Sequence, residues 1–339
     1  MIMAMVSAQP APRNAASRTP ASWQDFLLLL KPRVMSLVVF TGLTGLVAAD
    51  RPIHPVLGAV AILCIAIGAG ASGALNMWYD ADIDAKMRRT RARPVAAGRV
   101  QGPDALTLGV VLSLFSVMVM GMAINWLAAG LLAFTILFYA VVYTVWLKRW
   151  TAQNIVIGGL AGALPPVIGW AAADGATPLN AWLLCAIIFM WTPSHFWALS
   201  LYTSEDYQRA GVPMMPVVAG AASTRKQIWL YSLAFIPFAI APAFTGLGGL
   251  AYLAVSATGA AVYLLLAFRL WRSRAGEAAD PGNADPNDSD PRNDDGLYDV
   301  RAGARDARNL FAFSILYLTL LFATLLVEHL LGLPALELL

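Results

Sequence analysis

Apolar residues run in unbroken blocks of about 17 to 25 along this chain, joined by short polar connections. They do not alternate at the two-residue period of a half-buried strand, and they do not form the one-sided stripe of a surface helix. A block of that length crosses a hydrocarbon core of roughly 30 Å as a helix. Nine blocks qualify: 33–49, 54–78, 105–125, 126–147, 153–173, 180–202, 227–247, 249–270 and 309–331. The pattern therefore predicts an all-α polytopic membrane protein with nine transmembrane helices.

Composition agrees: 59% of residues are hydrophobic and 13% charged, with a mean hydropathy of +0.64. An ordinary soluble domain carries about 25% charged residues, so a soluble globular protein is excluded. The two cysteines, Cys64 and Cys185, sit in separate apolar blocks, which leaves neither a disulfide framework nor metal-ligand spacing. A net charge of +3, from 23 Lys+Arg against 20 Asp+Glu, is too balanced to suggest a nucleic-acid partner.

The position of the charges says more than their sum. Connections after the second, fourth, sixth and eighth blocks hold Lys86, Arg88, Arg89, Arg91, Arg93 and Arg99, then Lys148 and Arg149, then Arg209, Arg225 and Lys226, then Arg272 and Arg274. The intervening connections offer only Arg51. The positive-inside rule then puts the N-terminus and the basic loops in the cytoplasm and the C-terminus outside. Lys31-Pro32-Arg33, ahead of the first block, adds basic charge on the cytoplasmic side, where it reads as a membrane anchor or as a segment that reaches the substrate.

Four regions follow from this pattern. Residues 1–20, rich in Ala, Pro and Ser, read as a disordered tail. Residues 21–273 form the membrane bundle, 274–305 an acidic disordered cytoplasmic linker, and 306–339 the ninth helix with the C-terminus. The linker's aspartates lack the fixed spacing and closing Glu of a calcium-binding EF-hand. Within the bundle, Asp84 is followed after ten positions by Pro94-Val95-Ala96-Ala97-Gly98, and Asp206 by Pro216-Val217-Val218-Ala219-Gly220. An offset of 122 residues thus lays repeat 33–149 on repeat 153–272. Four helices separate the copies, so both enter the membrane in the same direction and their acidic segments end on one face.

Those segments carry the candidate chemistry. Asn76, Asp80 and Asp84 are spaced i, i+4, i+8 at the end of the second block and fall on one helical stripe, with Asp82 pointing elsewhere. An amide oxygen and two carboxylates are hard donors suited to Mg²⁺, which is commonly shared between carboxylates and substrate phosphates. Lys86, Arg88, Arg89 and Arg93 follow directly, and the guanidinium fork matches phosphate oxygens. Arg91 and Arg99 fit an ordinary positive-inside anchor. The repeat sets Asp206 opposite Asp84 and Tyr202 opposite Asp80, with Glu205 alongside, so two acidic helix ends would clamp one metal-diphosphate. Asn76, Asp80, Asp84 and Asp206 are the expected metal ligands.

His195 is the one ionisable His, Lys, Arg, Asp or Glu placed well inside a block. An intramembrane His reads as a functional group, whether haem ligand, proton acceptor or hydrogen-bond donor, against the plainer reading of an interhelical hydrogen bond. Trp191, Phe196 and Trp197 around it suit either a flat-ring pocket or an interfacial anchor.

Together these residues resemble the UbiA family of intramembrane prenyltransferases, whose Asn-x3-Asp-x3-Asp pattern is met by Asn76, Asp80 and Asp84. The resemblance extends to Lys31-Pro32-Arg33, to Met87 through Pro94, to His195-Phe196-Trp197-Ala198-Leu199, to Asp206-Tyr207 with Ala210 to Met214, and to Ser314 through Leu318. It points to the branch that prenylates haem. It implies Mg²⁺-dependent transfer of a farnesyl group from farnesyl diphosphate to a vinyl group of haem b, with water addition giving haem O for terminal oxidases. Asp80, Asp84, Asp206 and His195 would be catalytic, and Asn76, Lys86, Arg88, Arg89, Arg93, Glu205, Tyr202 and Trp197 would bind substrate. Membrane lipid surrounds the bundle, and the resemblance admits a haem A synthase or a second copy of the chain as partner.

Two positions depart from the family's pattern. Pro193-Ser194 stands where two prolines are usual, and Tyr202 stands where other branches carry an acid, which leaves a full second-metal site open. Three other readings remain. A prenyltransferase acting on an aromatic quinone precursor shares the diphosphate residues. A CDP-alcohol phosphotransferase lacks its Asp-Gly-x2-Ala-Arg start here. A transporter would need its paired acids at the midplane rather than at helix ends.

Overall fold

The computed structural model describes residues 21–277 and 304–336, and among them every regular element is a helix. The expected tail at 1–20 and all but the ends of the expected linker lie outside the described residues. Eight helices are long and apolar enough to cross a membrane, and a bent pair makes a ninth crossing.

That pair is α1 (Trp23–Leu29) and α2 (Pro32–Val47), bent by 50°. Ser22 and Asp25 form a capping box that starts α1. Lys31 adopts a left-handed φ of 52° and Pro32 occupies the first turn of α2. Proline costs nothing there, because its missing N–H would have been unpaired anyway. The apolar pattern does not reveal α1, whose Asp25 pairs with Arg99 at 2.7 Å instead of entering lipid.

The succeeding elements are α3 (Pro55–Tyr79), α4 (Ala81–Asp84), α5 (Gly102–Ala123), α6 (Trp126–Trp150), α7 (Asn154–Asp174) and α8 (Leu179–Tyr202). Then come α9 (Ser204–Ala210), α10 (Met215–Val218), α11 (Gly220–Phe244), α12 (Leu250–Arg272) and α13 (Ala304–Leu330). Sequence expectation starts the seventh crossing at 227, whereas α11 begins at Gly220. Its first turns carry Arg225, buried and bonded to the Ala275 carbonyl at 2.7 Å and to Glu277 at 2.6 Å. The start of the expected linker, through 277, is thus a turn pinned to α11.

Sequential helices pack on one another, and α13 packs on α12, on α8 and on α2, closing the ring. Helices α2 and α7 cross at close range. A Cβ added to Gly45 would meet the Pro166 carbonyl oxygen at 2.1 Å, and one added to Gly169 would meet the Gly42 oxygen at 2.0 Å. Small residues permit such backbone approach in a bilayer, where no hydrophobic force draws helices together. Elsewhere hydroxyls bridge helices: Tyr252 to Ala239 O at 2.7 Å, Tyr317 to Ser256 O at 2.6 Å, and Ser194 with Tyr263 at 2.7 Å.

Shifting α3 by the 122-residue repeat gives 177–201, against Leu179–Tyr202 for α8, and shifting α4 gives 203–206, which overlaps the first turn of α9. The chain after α4 and the helix α9 meet in one buried cluster that includes Ile83, Met87, Tyr207, Ala210 and Met214.

Candidate active site

The acidic motif begins where α3 runs out of apolar residues. Asn76 lies in the last turn, Asp80 caps the helix, and Asp84 closes α4. All three are buried, with Asp80 wholly sequestered. As the stripe predicts, Asn76 Nδ2 donates to Asp80 Oδ2 at 2.6 Å. Buried carboxylates need compensating charge, and each finds a different cation. Lys148 from the end of α6 pairs with Asp80, and Arg149 lies 3.8 Å from its other oxygen. Arg93 Nη1 donates to both carboxylate oxygens of Asp84, at 2.9 and 2.7 Å. Asp82 points outward and pairs with Arg149 at 2.7 Å, whose hydrogen bonds hold its carboxyl below the ordinary aspartate value.

Three residues outside the expected set complete this network. Lys31 donates to Asn76 Oδ1 at 2.6 Å, so its role is not that of a plain membrane anchor. Thr144 receives Asn76 Nδ2 at 3.2 Å. Lys148 reaches in from a connection whose charge the positive-inside rule already explained. Both α6 groups are aimed by local geometry: Phe138–Leu147 is a π-helix, and Thr144 bonds back five residues to the Tyr139 carbonyl at 2.9 Å. A π-turn rotates the residues after it relative to an α-helix, a device frequent at functional sites.

The second acidic segment joins the first. Asp206 on α9 accepts the backbone N–H of Arg88 at 3.0 Å and of Arg89 at 3.4 Å. It therefore fixes the loop that carries the arginines. Arg88 and Arg93 are half-buried, whereas Lys86 and Arg89 are exposed. Glu205 is half-buried beside Asp206.

Among the described residues no group of three or more His, Cys, Asp or Glu is gathered as a metal cage. The reason is visible: Asp80, Asp84 and Asp206 are each drawn to a different protein donor. The donor chemistry nonetheless suits a hard cation, because Asp80 Oδ1 is buried and receives no hydrogen bond.

Below this network lies a cavity of about 150 Å³ between α2, α3, α6 and α7. Lys31, Ser72, Thr135 and Tyr139 are its polar lining residues, and Ile65, Leu132 and Ile168 are among its apolar ones.

On α8, His195 forms a separate cluster with α13. Its ring stacks on Trp191, with centroids 4.0 Å apart, and on Phe311, 4.6 Å apart. Its Nδ1 lies 2.6 Å from Ser314 Oγ. Tyr202 meets Phe311 edge-on and sits under the Arg308 guanidinium, 5.6 Å away. Trp197 does not join them. It is fully buried against Tyr231 of α11, because two residues along a helix turn it about 200° from His195. Its place is in helix packing, not in a pocket wall.

Comparison with known proteins agrees with this geometry. The model of the UbiA prenyltransferase family matches residues 37–281. A protein of Caulobacter sp. (strain K31) named protoheme IX farnesyltransferase is 70% identical over 98% of this chain and 94% of its own length. One of the same name from Caulobacter vibrioides is 68% identical over 98% of each. Among solved structures, a UbiA homologue from Archaeoglobus fulgidus bound to GPP and Mg²⁺ superposes with a TM-score of 0.61 at 16% identity, covering 89% of this chain and 99% of that one. A digeranylgeranylglyceryl phosphate synthase gives 0.68 at 13% identity, covering 90% and 98%. At that identity the likeness is one of fold. The family model and the relatives that match nearly end to end decide the matter: the chain belongs to the UbiA prenyltransferase family, as an integral membrane enzyme of its protoheme IX farnesyltransferase group.

Proposed function

We propose that this protein transfers a farnesyl group from farnesyl diphosphate to a vinyl group of haem b, with water addition, giving haem O. The observation that carries the reading is the buried Lys31–Asn76–Asp80–Lys148 network set above an apolar cavity. A charged head and an isoprenoid tail need such an arrangement, and the names of the relatives supply the acceptor.

Asn76, Asp80, Asp84 and Asp206 would hold Mg²⁺, which when bound neutralises charge on the departing diphosphate. Lys31, Lys148 and Arg93, now spent on Asn76 and the carboxylates, are the cations in reach of a diphosphate, and Arg88 and Arg89 are presented by the loop that Asp206 fixes. Fixed positive charge aimed at the leaving group lowers the barrier because the site need not reorganise as charge develops. The C1–O bond of farnesyl diphosphate breaks, and the diphosphate leaves with the electron pair. The terminal vinyl carbon then bonds to C1, which leaves the positive charge on the inner vinyl carbon next to the porphyrin ring, and water adds there with loss of a proton. Apolar walls along the cavity keep water from C1 until the vinyl group has attacked. His195 would contact the haem. The basic ends of the helices would face the cytoplasm of a bacterial cell, with the enzyme in the inner membrane.

The test is an assay of detergent-purified full-length protein with haem b, farnesyl diphosphate and Mg²⁺, read by mass spectrometry with an EDTA control. A product heavier by one farnesyl group plus one water, lost with EDTA, is expected. Consumption of farnesyl diphosphate only with an aromatic acceptor would replace haem with a quinone precursor.

A further inference from the structure

The hydrogen-bond arithmetic around His195 determines which of its nitrogens is protonated. Ser314 Oγ lies 2.6 Å from the Phe311 carbonyl oxygen and 2.6 Å from His195 Nδ1. A serine hydroxyl has one proton, and a carbonyl oxygen can only accept. The proton must therefore go to Phe311, and Ser314 Oγ must accept from His195. The imidazole is the Nδ1–H tautomer, and in the neutral ring Nε2 holds the free electron pair.

The ring is also held in place. Trp191 stacks on it with an interplanar angle of 15°, and Phe311 with 18°. Trp191 itself is fixed by donating Nε1–H to the Ser314 carbonyl at 2.9 Å. Both faces and the Nδ1 edge of the imidazole are thus occupied, while the residue as a whole is only half-buried. An interhelical hydrogen bond alone needs none of this: any donor at position 195 would reach Ser314. A locked neutral imidazole whose second nitrogen is bound by a fixed acceptor is the arrangement of a metal-ligating histidine.

We infer that Ser314 is a positioning residue that sets His195 to present Nε2 as the axial ligand of the haem iron. The inference rests on the haem-acceptor reading and deepens it: α13 supplies the acceptor side, α3 and α9 the diphosphate side. Iron ligation would hold the porphyrin in one place while the vinyl group is attacked.

The experiment titrates ferric haem b into full-length detergent-purified protein without farnesyl diphosphate and records optical and EPR spectra. Wild type is expected to give an imidazole-ligated spectrum. His195→Gln keeps a donor to Ser314 and most of the packing, yet should lose that spectrum and bind haem b about tenfold or more weakly. His195→Gly should regain it when free imidazole is added. Ser314→Ala should lower the imidazole-ligated fraction, and Ser314→Thr, which keeps the hydroxyl, should restore it; a purely structural Ser314 would not move the spectrum. An unchanged spectrum and affinity in a folded His195→Gln overturns the ligation even if haem product still forms. An unchanged Ser314→Ala spectrum overturns the role of Ser314. A wild type that neither binds haem b nor forms haem product overturns the acceptor reading as well, so the two failures are separable.

Discussion

Asp80 shows how much a single position carries. Its carboxylate is fully sequestered and lies between Asn76, Lys148 and Arg149. Removing one partner of a buried ion pair costs about 3–5 kcal/mol, since the other charge is left behind. Asp80→Ala would therefore confound folding with chemistry. Asp80→Asn also discards the charge, but it keeps the side chain's volume and an oxygen that still accepts from Lys148, so neither a cavity nor an unmet donor is added. We expect it to remain folded by size-exclusion chromatography and to lose about 100-fold or more in turnover, the scale of removing a group that organises leaving-group stabilisation. Product counted by mass spectrometry at saturating substrate checks this, and near-normal turnover would take Asp80 out of the machinery. The sequence places Asn76 and Asp80 together because a four-residue step is a property of any helix. It cannot place Lys31 or Lys148, because a cation beside a membrane helix is equally explained by the positive-inside rule. The π-turn that aims Thr144 leaves no mark in an apolar run.

At the level of elements, the position of α2 decides whether Lys31 reaches Asn76. That helix is held against α7 at backbone contact through Gly45 and Gly169. A methyl group at either position would overlap a carbonyl oxygen, which does not yield as a flexible side chain would. Gly169→Ala should force the helices apart and lower stability by about 1–3 kcal/mol, the usual cost of overpacking. Gly162→Ala, on the same helix but with nothing within 4 Å of the added Cβ, serves as the control and should be near neutral. Thermal unfolding of the two variants in one detergent compares them, and equal midpoints would mean that the crossing gives way without cost. The nine apolar blocks are legible because hydrocarbon demands length and apolarity from each. Helix α1 and the first turns of α11 are not, since their charged residues are matched by partners above the membrane: Asp25 by Arg99, Arg225 by Glu277. Likewise Trp197 reads as a pocket residue when only its neighbour in sequence is considered, and as packing once the helix turns it onto Tyr231.

For the molecule as a whole, charge separates the two ends of the bundle. Lys31, Lys148, Arg149, Arg225 and the arginines after α4 lie at one end, with Asp80, Asp84 and Asp206. At the other, Arg51 pairs with Asp174 at 3.3 Å, and the buried Glu328 of α13 accepts the backbone N–H groups of Gly249 and Tyr252 at 2.8 and 2.9 Å, capping α12. One end thus gathers basic residues around a few acids, and the other is closed on itself. Retention of Lys and Arg on the cytoplasmic side then predicts that the diphosphate site faces the cytoplasm. Cys64 and Cys185 are buried, so a cysteine introduced at an exposed position is the reactive one. In intact cells stripped of the outer membrane barrier, Ala176→Cys, in the turn after α7, should be labelled by a membrane-impermeant maleimide. Ala97→Cys, in the loop after α4, should be labelled only after lysis. Reversed labelling would invert the bundle and put its anion-binding end on the side where the positive-inside rule forbids it, which would require the arginines after α4 to be retained by the diphosphate chemistry alone.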